Sequence, residues 1–558
     1  MSKLRFRRPK EGSMPTVRNI VFKPLIYILL LAALLRLPGL NHHMDTLYGD
    51  EVALGYNAFA IKETLRDEFG RFLPLQFESW GDQKNPVYIY ATALVQLITG
   101  PTMASVRLPS ATAGILAVYL TYRLVMLLNL GSTVALLSAF LLSVTPWHIH
   151  ISRGGYEANV ALTLGLGSVV MLLSKKWVGS AVLLTLSAYT YYTTKMFAPF
   201  LLLFTWIYLI DWSKCQSRLK DFAKYWLLTF VLVIPIIYLA LFKGGQVRFQ
   251  SINIFVDKTV TPRVERARNF FDNPASILAK LSENRYVYHL SDFAMYYLEN
   301  FSGQFLFVGG DSNVRYGLAG HGMLYLIDAP LILMGLILLY QKNRRVWYYL
   351  VAWLLLAPLP TAFVGRAYGL RSLAMLPIPQ VLAGYTLFSW YQSTKKSKII
   401  SILLTFYLLL YALSVGNWLH RYVYQYPAYG RYWYDAPMQD AITYAQEREA
   451  KYNQIIISQS YGEVSMYYAY LNQIHPAIYR QAKANKIMVD GVPMIKIGKY
   501  YFGDIRPKGP IEQMDIPHNT LILVQPYFEY GEDTIIARDD GRPIYRVFEF
   551  PTVHMKAK

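Results

Sequence analysis

Residues 24–39 read PLIYILLLAALLRLPG, an apolar run that, with its flanking residues, is long enough to cross a bilayer. Five basic residues precede it within the first ten positions, but no small-residue cleavage site follows it. We therefore interpret it as an uncleaved first membrane span and not as a secretory signal peptide. Because Lys and Arg concentrate on the cytoplasmic side, residues 1–19 are predicted to be a basic cytoplasmic N-terminus.

The composition of the whole chain favours a protein with many spans. Of its 558 residues, 54% are hydrophobic and only 16% are charged, a balance that one soluble core cannot accommodate. The net charge of +20 comes from short basic clusters between apolar runs, which indicates cytoplasmic loops and not nucleic-acid binding. The single cysteine, Cys215, excludes an internal disulfide and any cysteine-rich metal site.

Eleven apolar runs have the length of a membrane span. They lie near 20–38, 105–128, 131–149, 157–173, 177–193, 196–211, 222–242, 322–341, 346–364, 371–391 and 398–418. Residues 86–99 are also apolar but shorter. If they do not cross, all four basic inter-span clusters share the side of the N-terminus, as expected for cytoplasmic loops. This arrangement predicts outer loops at 39–104 and 244–321.

Beyond about residue 420 the composition becomes that of a soluble domain. Helical and strand-like patterns alternate there, at 440–451, 454–458, 464–471, 521–524 and 544–550. The sequence therefore predicts an α-helical polytopic membrane domain over 20–420 and a small extracytoplasmic α/β domain over 421–558.

The first outer loop contains an acidic pair, Asp50-Glu51. The pair opens a segment whose apolar residues recur at helical spacing over 52–65, which predicts an amphipathic helix lying on the membrane. A carboxylate at the start of a helix can cap its backbone N–H groups or act as a general base, and the sequence leaves both interpretations open. Asp50 is the candidate base and Glu51 its candidate helper.

Several charged side chains are predicted near the same outer face, where fixed cations suit a phosphate-bearing lipid. They are Lys84, Arg107, Arg153, Glu157, Arg366 and Arg371. Snorkelling side chains and surface ion pairs are the structural alternatives. His148, His150 and His321 are candidate metal ligands, but the first two do not share a helix face. No metal site is assigned, and a divalent metal ion is the one cofactor left open.

These motifs resemble those of bacterial polytopic glycosyltransferases of the GT-C type, close to glycosyltransferase family 39. That family includes protein O-mannosyltransferases, and lipid A aminoarabinose transferases are its relatives. The resemblance runs through about residues 20–420. It is carried by Gly49-Asp50-Glu51, Lys84-Asn85-Pro86-Val87-Tyr88, Arg107-Leu108-Pro109-Ser110-Ala111, Pro146-Trp147, Ser152-Arg153, Gly320-His321-Gly322, and Ala357-Pro358-Leu359-Pro360 leading to Arg366 and Arg371. Asn85 stands where many relatives have the first of two prolines.

The resemblance implies a polyprenyl-phosphate-sugar donor, a carboxylate base at Asp50 and inversion at the sugar carbon. The hypothesis is a plasma-membrane glycosyltransferase that acts on an extracytoplasmic protein, lipid or glycan acceptor. Its donor would contact Lys84, Arg107, Arg153, Glu157, His321, Arg366 and Arg371. The alternatives are a transporter or flippase of a polar lipid, and a non-catalytic scaffold for envelope assembly. Strong charges at span ends and the lack of a recognisable internal repeat disfavour transport.

Overall fold

The computed structural model describes residues 16–209, 215–242, 253–394, 397–459, 462–505, 517, 519–524, 534–537 and 543–550. Most of the predicted basic N-terminus lies outside the described residues, as do parts of the loop at 244–321 and of the C-terminal domain. The described residues up to about 450 are predominantly helical, and the larger sheet forms beyond them.

The helices of the N-terminal part follow the predicted apolar runs closely. They are α1 (Thr16–Arg36), α2 (Gly49–Thr64), α3 (Pro86–Thr99), α4 (Met103–Leu127), α5 (Ser132–Val144), α6 (Pro146–Ser152), α7 (Glu157–Leu173), α8 (Trp177–Ala188), α9 (Tyr192–Leu209), α10 (Cys215–Phe242), α11 (Val260–Arg268), α12 (Ile277–Ser282), α13 (Arg285–Glu299), α14 (Asp328–Lys342), α15 (Arg344–Leu356), α16 (Leu359–Ala362), α17 (Ile378–Thr394), α18 (Lys398–His420) and α19 (Tyr426–Gly430). A hairpin of β1 (Phe77–Ser79) and β2 (Asp82–Lys84) lies between α2 and α3.

The prediction of eleven spans is not confirmed. Among the described residues, three helical stretches are long and apolar enough to cross a membrane: α4, Lys220–Leu239 and Lys398–Tyr434. A fourth is obtained if α5 and α6, which meet at a bend of 59°, count as one span. The predicted run at 131–149 is interrupted at the point where Pro146 begins a new helix.

The C-terminal region has the predicted α/β character. Its helices are α20 (Ala436–Glu447), α21 (Val464–Leu471) and α22 (Pro476–Ala484), and its strands are β3 (Gln454–Ser458), β4 (Ile487–Val489), β5 (Val492–Ile497), β6 (Tyr500–Gly503), β7 (Thr520–Val524), β8 (Thr534–Ala537) and β9 (Pro543–Phe550). The sheet order is β4-β5-β6-β3-β7-β9-β8. Strand β3 is parallel to β6 and β7, whereas the other neighbouring pairs are antiparallel. Its fully buried isoleucines, Ile455–Ile457, make β3 the centre of this domain.

Helix α2 is not the amphipathic surface helix that the sequence predicted. Twelve of its 16 residues are buried, because α3 and α4 pack against it and α21 and α22 of the C-terminal domain contact it as well. A Cβ atom at Gly55 would lie 2.8 Å from both Val106 and Tyr470, so there is no room for a side chain there. The apolar spacing was correct for a helix, but it could not reveal that a distant domain covers the remaining face.

Candidate active site

The candidate site lies where the start of α2, which contains Asp50, meets the end of β2, which contains Lys84. The Asp50 carboxylate forms an ion pair with the Lys84 ammonium group, which also lies 3.3 Å from Asp82 Oδ2. The Lys84 side chain is only 6% exposed, whereas that of Asp50 is 44% exposed. The tight hairpin that ends in Lys84 turns at Trp80 and Gly81, both of which have positive φ. The buried Lys84 ammonium group is thus held against the partly exposed Asp50 carboxylate.

Lys84 remains charged in this environment. Burial opposes the charged form, but the carboxylates of Asp50, Glu157 and Asp82 outweigh it and raise the pKa of Lys84 above its ordinary value. Glu157, the first residue of α7, is the third of these acids and lies on a different element from the other two. The predicted candidates Asp50, Lys84 and Glu157 therefore share one electrostatic environment.

Glu51, the second predicted carboxylate, belongs to a fully internal network. Its side chain is completely buried and accepts hydrogen bonds from Arg107 Nε at 2.8 Å and Arg107 Nη2 at 3.0 Å. It also accepts the backbone N–H of Gly155 at 2.7 Å and that of Tyr48 at 3.3 Å. A Cβ at Gly155 would lie 2.9 Å from Glu51 Cγ, so this close approach requires glycine.

Arg107 has all its donors engaged within the protein. Besides Glu51, its guanidinium donates to the carbonyl oxygens of Leu40 at 2.9 Å, Met44 at 2.8 Å and Thr46 at 2.5 Å. These five hydrogen bonds match the five N–H groups of an arginine. The arrangement ties the chain before α2 to α4 and holds Glu51, the neighbour of the candidate base.

Arg153 lies beside this network and lines a small cavity. The cavity walls are formed by Gly39, Leu40, His43, Met44, Arg107, Arg153, Tyr422 and Tyr434. The Arg153 guanidinium lies 5.8 Å from the Tyr422 ring centre and donates to the carbonyl of Leu35 at 3.3 Å. Its buried Nε atom has no hydrogen-bond partner among the described residues. Burial, together with the Arg153 charge, lowers the pKa of His43 to about 3, so this imidazole is neutral.

The remaining predicted residues lie later in the chain, between α13 and α14 or between α16 and α17. Arg371 stacks on Tyr368 at 4.6 Å, and Tyr368 packs against Tyr316 with ring centres 4.7 Å apart. Arg366 is exposed. His321 Nδ1 lies 2.7 Å from the carbonyl oxygen of Gly322, and burial lowers its pKa.

Two features of the site were missed by the sequence reasoning. Lys195 of α9 donates to Asn85 Oδ1 at 2.9 Å, next to Lys84. Lys195 also interacts electrostatically with Glu157. Asp435 accepts the backbone N–H of Gly49 at 2.8 Å and pairs with Arg315 at 3.5 Å. Neither residue belongs to a motif, and Asp435 lies 386 positions from Gly49, so no local pattern could have indicated the contact.

The described residues contain no group of three or more His, Cys, Asp or Glu side chains placed to hold a metal ion. His148 and His150, which were considered as ligands, have other partners. The Nδ1 atom of His148 lies 2.8 Å from Arg36 Nη2, and His150 Nε2 lies 2.9 Å from the Arg315 carbonyl oxygen.

Residues 83–239 match a family model described as dolichyl-phosphate-mannose-protein mannosyltransferase. A Bacillus subtilis (strain 168) protein named "Putative mannosyltransferase YycA" is 31% identical over 156 residues, which are 27% of this chain and 22% of that protein. The match thus spans about a fifth of the curated relative. The family match confirms the predicted resemblance to GT-C-type glycosyltransferases within residues 83–239, the segment that contains Lys84, Arg107, Arg153 and Glu157.

Two solved structures are similar at low sequence identity. The oligosaccharyltransferase AglB of Archaeoglobus fulgidus, in complex with an inhibitory peptide and a dolichol-phosphate, is 13% identical. Its TM-score is 0.48, and the match covers 82% of this chain and 64% of that one. ArnT from Cupriavidus metallidurans bound to undecaprenyl phosphate is 12% identical with a TM-score of 0.49, and the match covers 96% of this chain and 98% of that one.

Proposed function

Starting from the family match over residues 83–239, we propose that this protein is an integral membrane glycosyltransferase of the GT-C type. It transfers one sugar from a polyprenyl-phosphate-linked donor to an extracytoplasmic acceptor, with inversion at the sugar carbon. The observation that carries this function is the half-exposed Asp50 carboxylate held against the buried Lys84 ammonium group. A base and an anion-binding cation therefore lie within contact distance of each other.

In the proposed reaction, Asp50 removes the proton from an acceptor hydroxyl as its oxygen attacks the anomeric carbon of the sugar. A new carbon–oxygen bond forms on one face of the sugar. The bond to the donor phosphate breaks on the opposite face, and its electron pair leaves with the polyprenyl phosphate. Configuration is inverted because attack and departure occur in one displacement. The proton ends on the Asp50 carboxyl group.

Lys84 binds the donor phosphate in this scheme. Its raised pKa keeps it cationic, so it can stabilise the charge that develops on the phosphate as the sugar departs. In the structure its ammonium group is paired with Asp50 and Asp82. A donor phosphate would compete with Asp50 for this cation, which would release a carboxylate oxygen toward the acceptor. Lys195, beside Asn85, lies close enough to add positive charge to the same region.

Glu51 and Arg107 act as positioning residues. Because all five Arg107 donors are engaged, its contribution is to fix Glu51 and the start of α2 rather than to contact the donor. Glu157 helps to keep Lys84 charged. Arg153 supplies a further cation behind Arg107, and Arg366, Arg371 and His321 stay candidates for outer contacts with the substrate.

The protein is proposed to lie in the plasma membrane as a multi-pass protein, with its N-terminus in the cytoplasm and its C-terminal domain outside. This orientation places Asp50 and Lys84 at the outer face. A nucleotide-sugar donor is not expected there, which favours a sugar carried by a lipid. The positions of the basic clusters support this orientation.

The test uses purified full-length protein reconstituted into sealed lipid vesicles, with radiolabelled polyprenyl-phosphate mannose as the probe and membranes from a deletion strain as acceptor. Wild-type protein should release polyprenyl phosphate and label the membranes, whereas Asp50→Asn should not. Equal labelling by the two proteins would remove Asp50 as the base. Movement of the lipid across the bilayer without labelling would favour a flippase, and neither activity would favour a scaffold.

A further inference from the structure

We infer that Asp435, which lies just ahead of α20 at the edge of the C-terminal domain, is a positioning residue for the sugar-transfer reaction. It fixes the first turn of α2 and with it the direction of Asp50. The inference rests on the proposed function. It also assigns a catalytic consequence to a C-terminal region that does not contain the proposed base or the phosphate-binding lysine.

The Asp435 carboxylate connects three separate parts of the chain. Its Oδ2 atom accepts the backbone N–H of Gly49 at 2.8 Å and the Tyr467 hydroxyl at 3.1 Å. Its Oδ1 atom lies 3.5 Å from Arg315 Nη2. Gly49 is the first residue of α2, so this carboxylate touches the residue directly before the proposed base.

The beginning of α2 depends on this contact. The first N–H groups of a helix have no partner within the helix and need an outside acceptor. The residue before α2, Tyr48, makes no side-chain capping hydrogen bond, and the Glu51 carboxylate accepts the Tyr48 N–H at 3.3 Å and not that of Gly49. Asp435 therefore supplies the acceptor for Gly49, and its negative charge also suits the positive end of the helix dipole.

Asp435 is itself held in place. Its backbone adopts φ 53°, a left-handed conformation that is uncommon for residues other than glycine and persists only when surrounding contacts define it. Arg315 donates its Nε–H to the Trp433 carbonyl at 2.6 Å and lies 4.6 Å from the Tyr48 ring centre. The cap is thus fixed by the outer loop on one side and by the C-terminal domain on the other.

The charge of Asp50 also acts on Asp435. Burial raises the pKa of Asp435, and the Asp50 charge raises it further, whereas Arg315, the Gly49 N–H and the Tyr467 hydroxyl act against the rise. The Asp435 carboxylate interacts electrostatically with Asp50 and accepts the Gly49 N–H, so it is placed to set the orientation of the proposed base. Loss of the cap should move Asp50 without removing Lys84.

The test compares Asp435→Ala, Asp435→Asn and the control Asp440→Ala in the full-length protein. Asp440 lies on α20 and pairs with Arg431 at 2.8 Å, so its loss removes a carboxylate of similar exposure from the same region. In the assay with polyprenyl-phosphate mannose, Asp435→Ala should lower kcat by about 10- to 100-fold, with donor KM within about threefold of wild type. Asp435→Asn should recover most of the kcat because its amide oxygen still accepts the Gly49 N–H. Asp440→Ala should match wild type.

Hydrogen exchange of residues 48–54 provides a readout that does not need turnover. Asp435→Ala should accelerate exchange in this first turn of α2, while Asp440→Ala should not. Wild-type kcat in Asp435→Ala, or unchanged exchange, would overturn the inference, as would an Asn variant as impaired as the Ala variant. If the wild type itself transfers no sugar while exchange responds as expected, the proposed function fails and the positioning contact stands.

Discussion

Removal of the Glu51 carboxylate is the perturbation whose energetic cost follows most directly from the structure. Glu51→Ala leaves the buried Arg107 guanidinium without the two hydrogen bonds at 2.8 and 3.0 Å that Glu51 accepts, and without a counter-charge. Breaking a buried ion pair by removing one partner costs about 3–5 kcal/mol. The equilibrium for unfolding should therefore shift toward the unfolded state by roughly two to three and a half powers of ten.

The measurement is reversible unfolding of the purified protein in mixed micelles of detergent and denaturing surfactant. Glu51→Ala, Arg107→Met and the double variant complete a double-mutant cycle. The double variant should be more stable than the sum of the single losses predicts, because it removes the unpaired buried charge. Additive losses, or a Glu51→Ala cost below about 1 kcal/mol, would refute the assignment of a tightly coupled buried pair.

The remaining predictions concern the proposed base, the cation Lys84, the buried Asp311 and the contact between α2 and the C-terminal domain. Asp311 lies between α13 and α14 and accepts the backbone N–H of Asn313 at 2.8 Å. Asp50→Asn should lower kcat by about 10²–10⁴ in protein that remains folded, measured by release of polyprenyl phosphate. Lys84→Met should raise the donor KM and lower kcat in the same assay, because Lys84 both binds the donor phosphate and stabilises the charge that develops on it, and an unchanged donor KM would contradict phosphate binding. Burial raises the pKa of Asp311 to about 6 from an ordinary 3.8, so its contribution to stability is complete below pH 4 and is lost as the pH rises through 6. The thermal midpoint should therefore fall less between pH 4.5 and 7.5 in Asp311→Asn than in wild type, and an equal fall would exclude this group. Gly55→Leu should loosen the C-terminal domain from α2, since even a Cβ would lie 2.8 Å from Tyr470, and limited proteolysis should then cut the chain near the domain boundary faster than in wild type.

The C-terminal domain was predictable because its elements carry local signals. The run Gln454–Ser458 is a strand as predicted, with buried isoleucines, and Val464–Leu471 is the predicted helix. Each pattern depends only on residues within a single helix or strand and on which of its faces is buried. The helix predicted at 440–451 begins earlier, at Ala436, because Pro437 occupies a first-turn position that favours helix initiation.

The surroundings of the candidate site were less predictable for a physical reason. Asp50 and Lys84 could be chosen from charge and position along the chain, but their direct pairing required the hairpin that precedes α3. Arg107 was expected to contact phosphate, yet three of its hydrogen bonds go to backbone carbonyls that no side-chain motif encodes. The Asp435 contact spans 386 positions and depends on how two domains pack.

The central claim is tested most directly by the sugar composition of the cell envelope in a deletion strain. The strain is complemented in parallel with the wild type and with Asp50→Asn, both at matched membrane levels. The account predicts that one sugar disappears on deletion and returns only with the wild type. Equal restoration of that sugar by Asp50→Asn would contradict catalysis by Asp50.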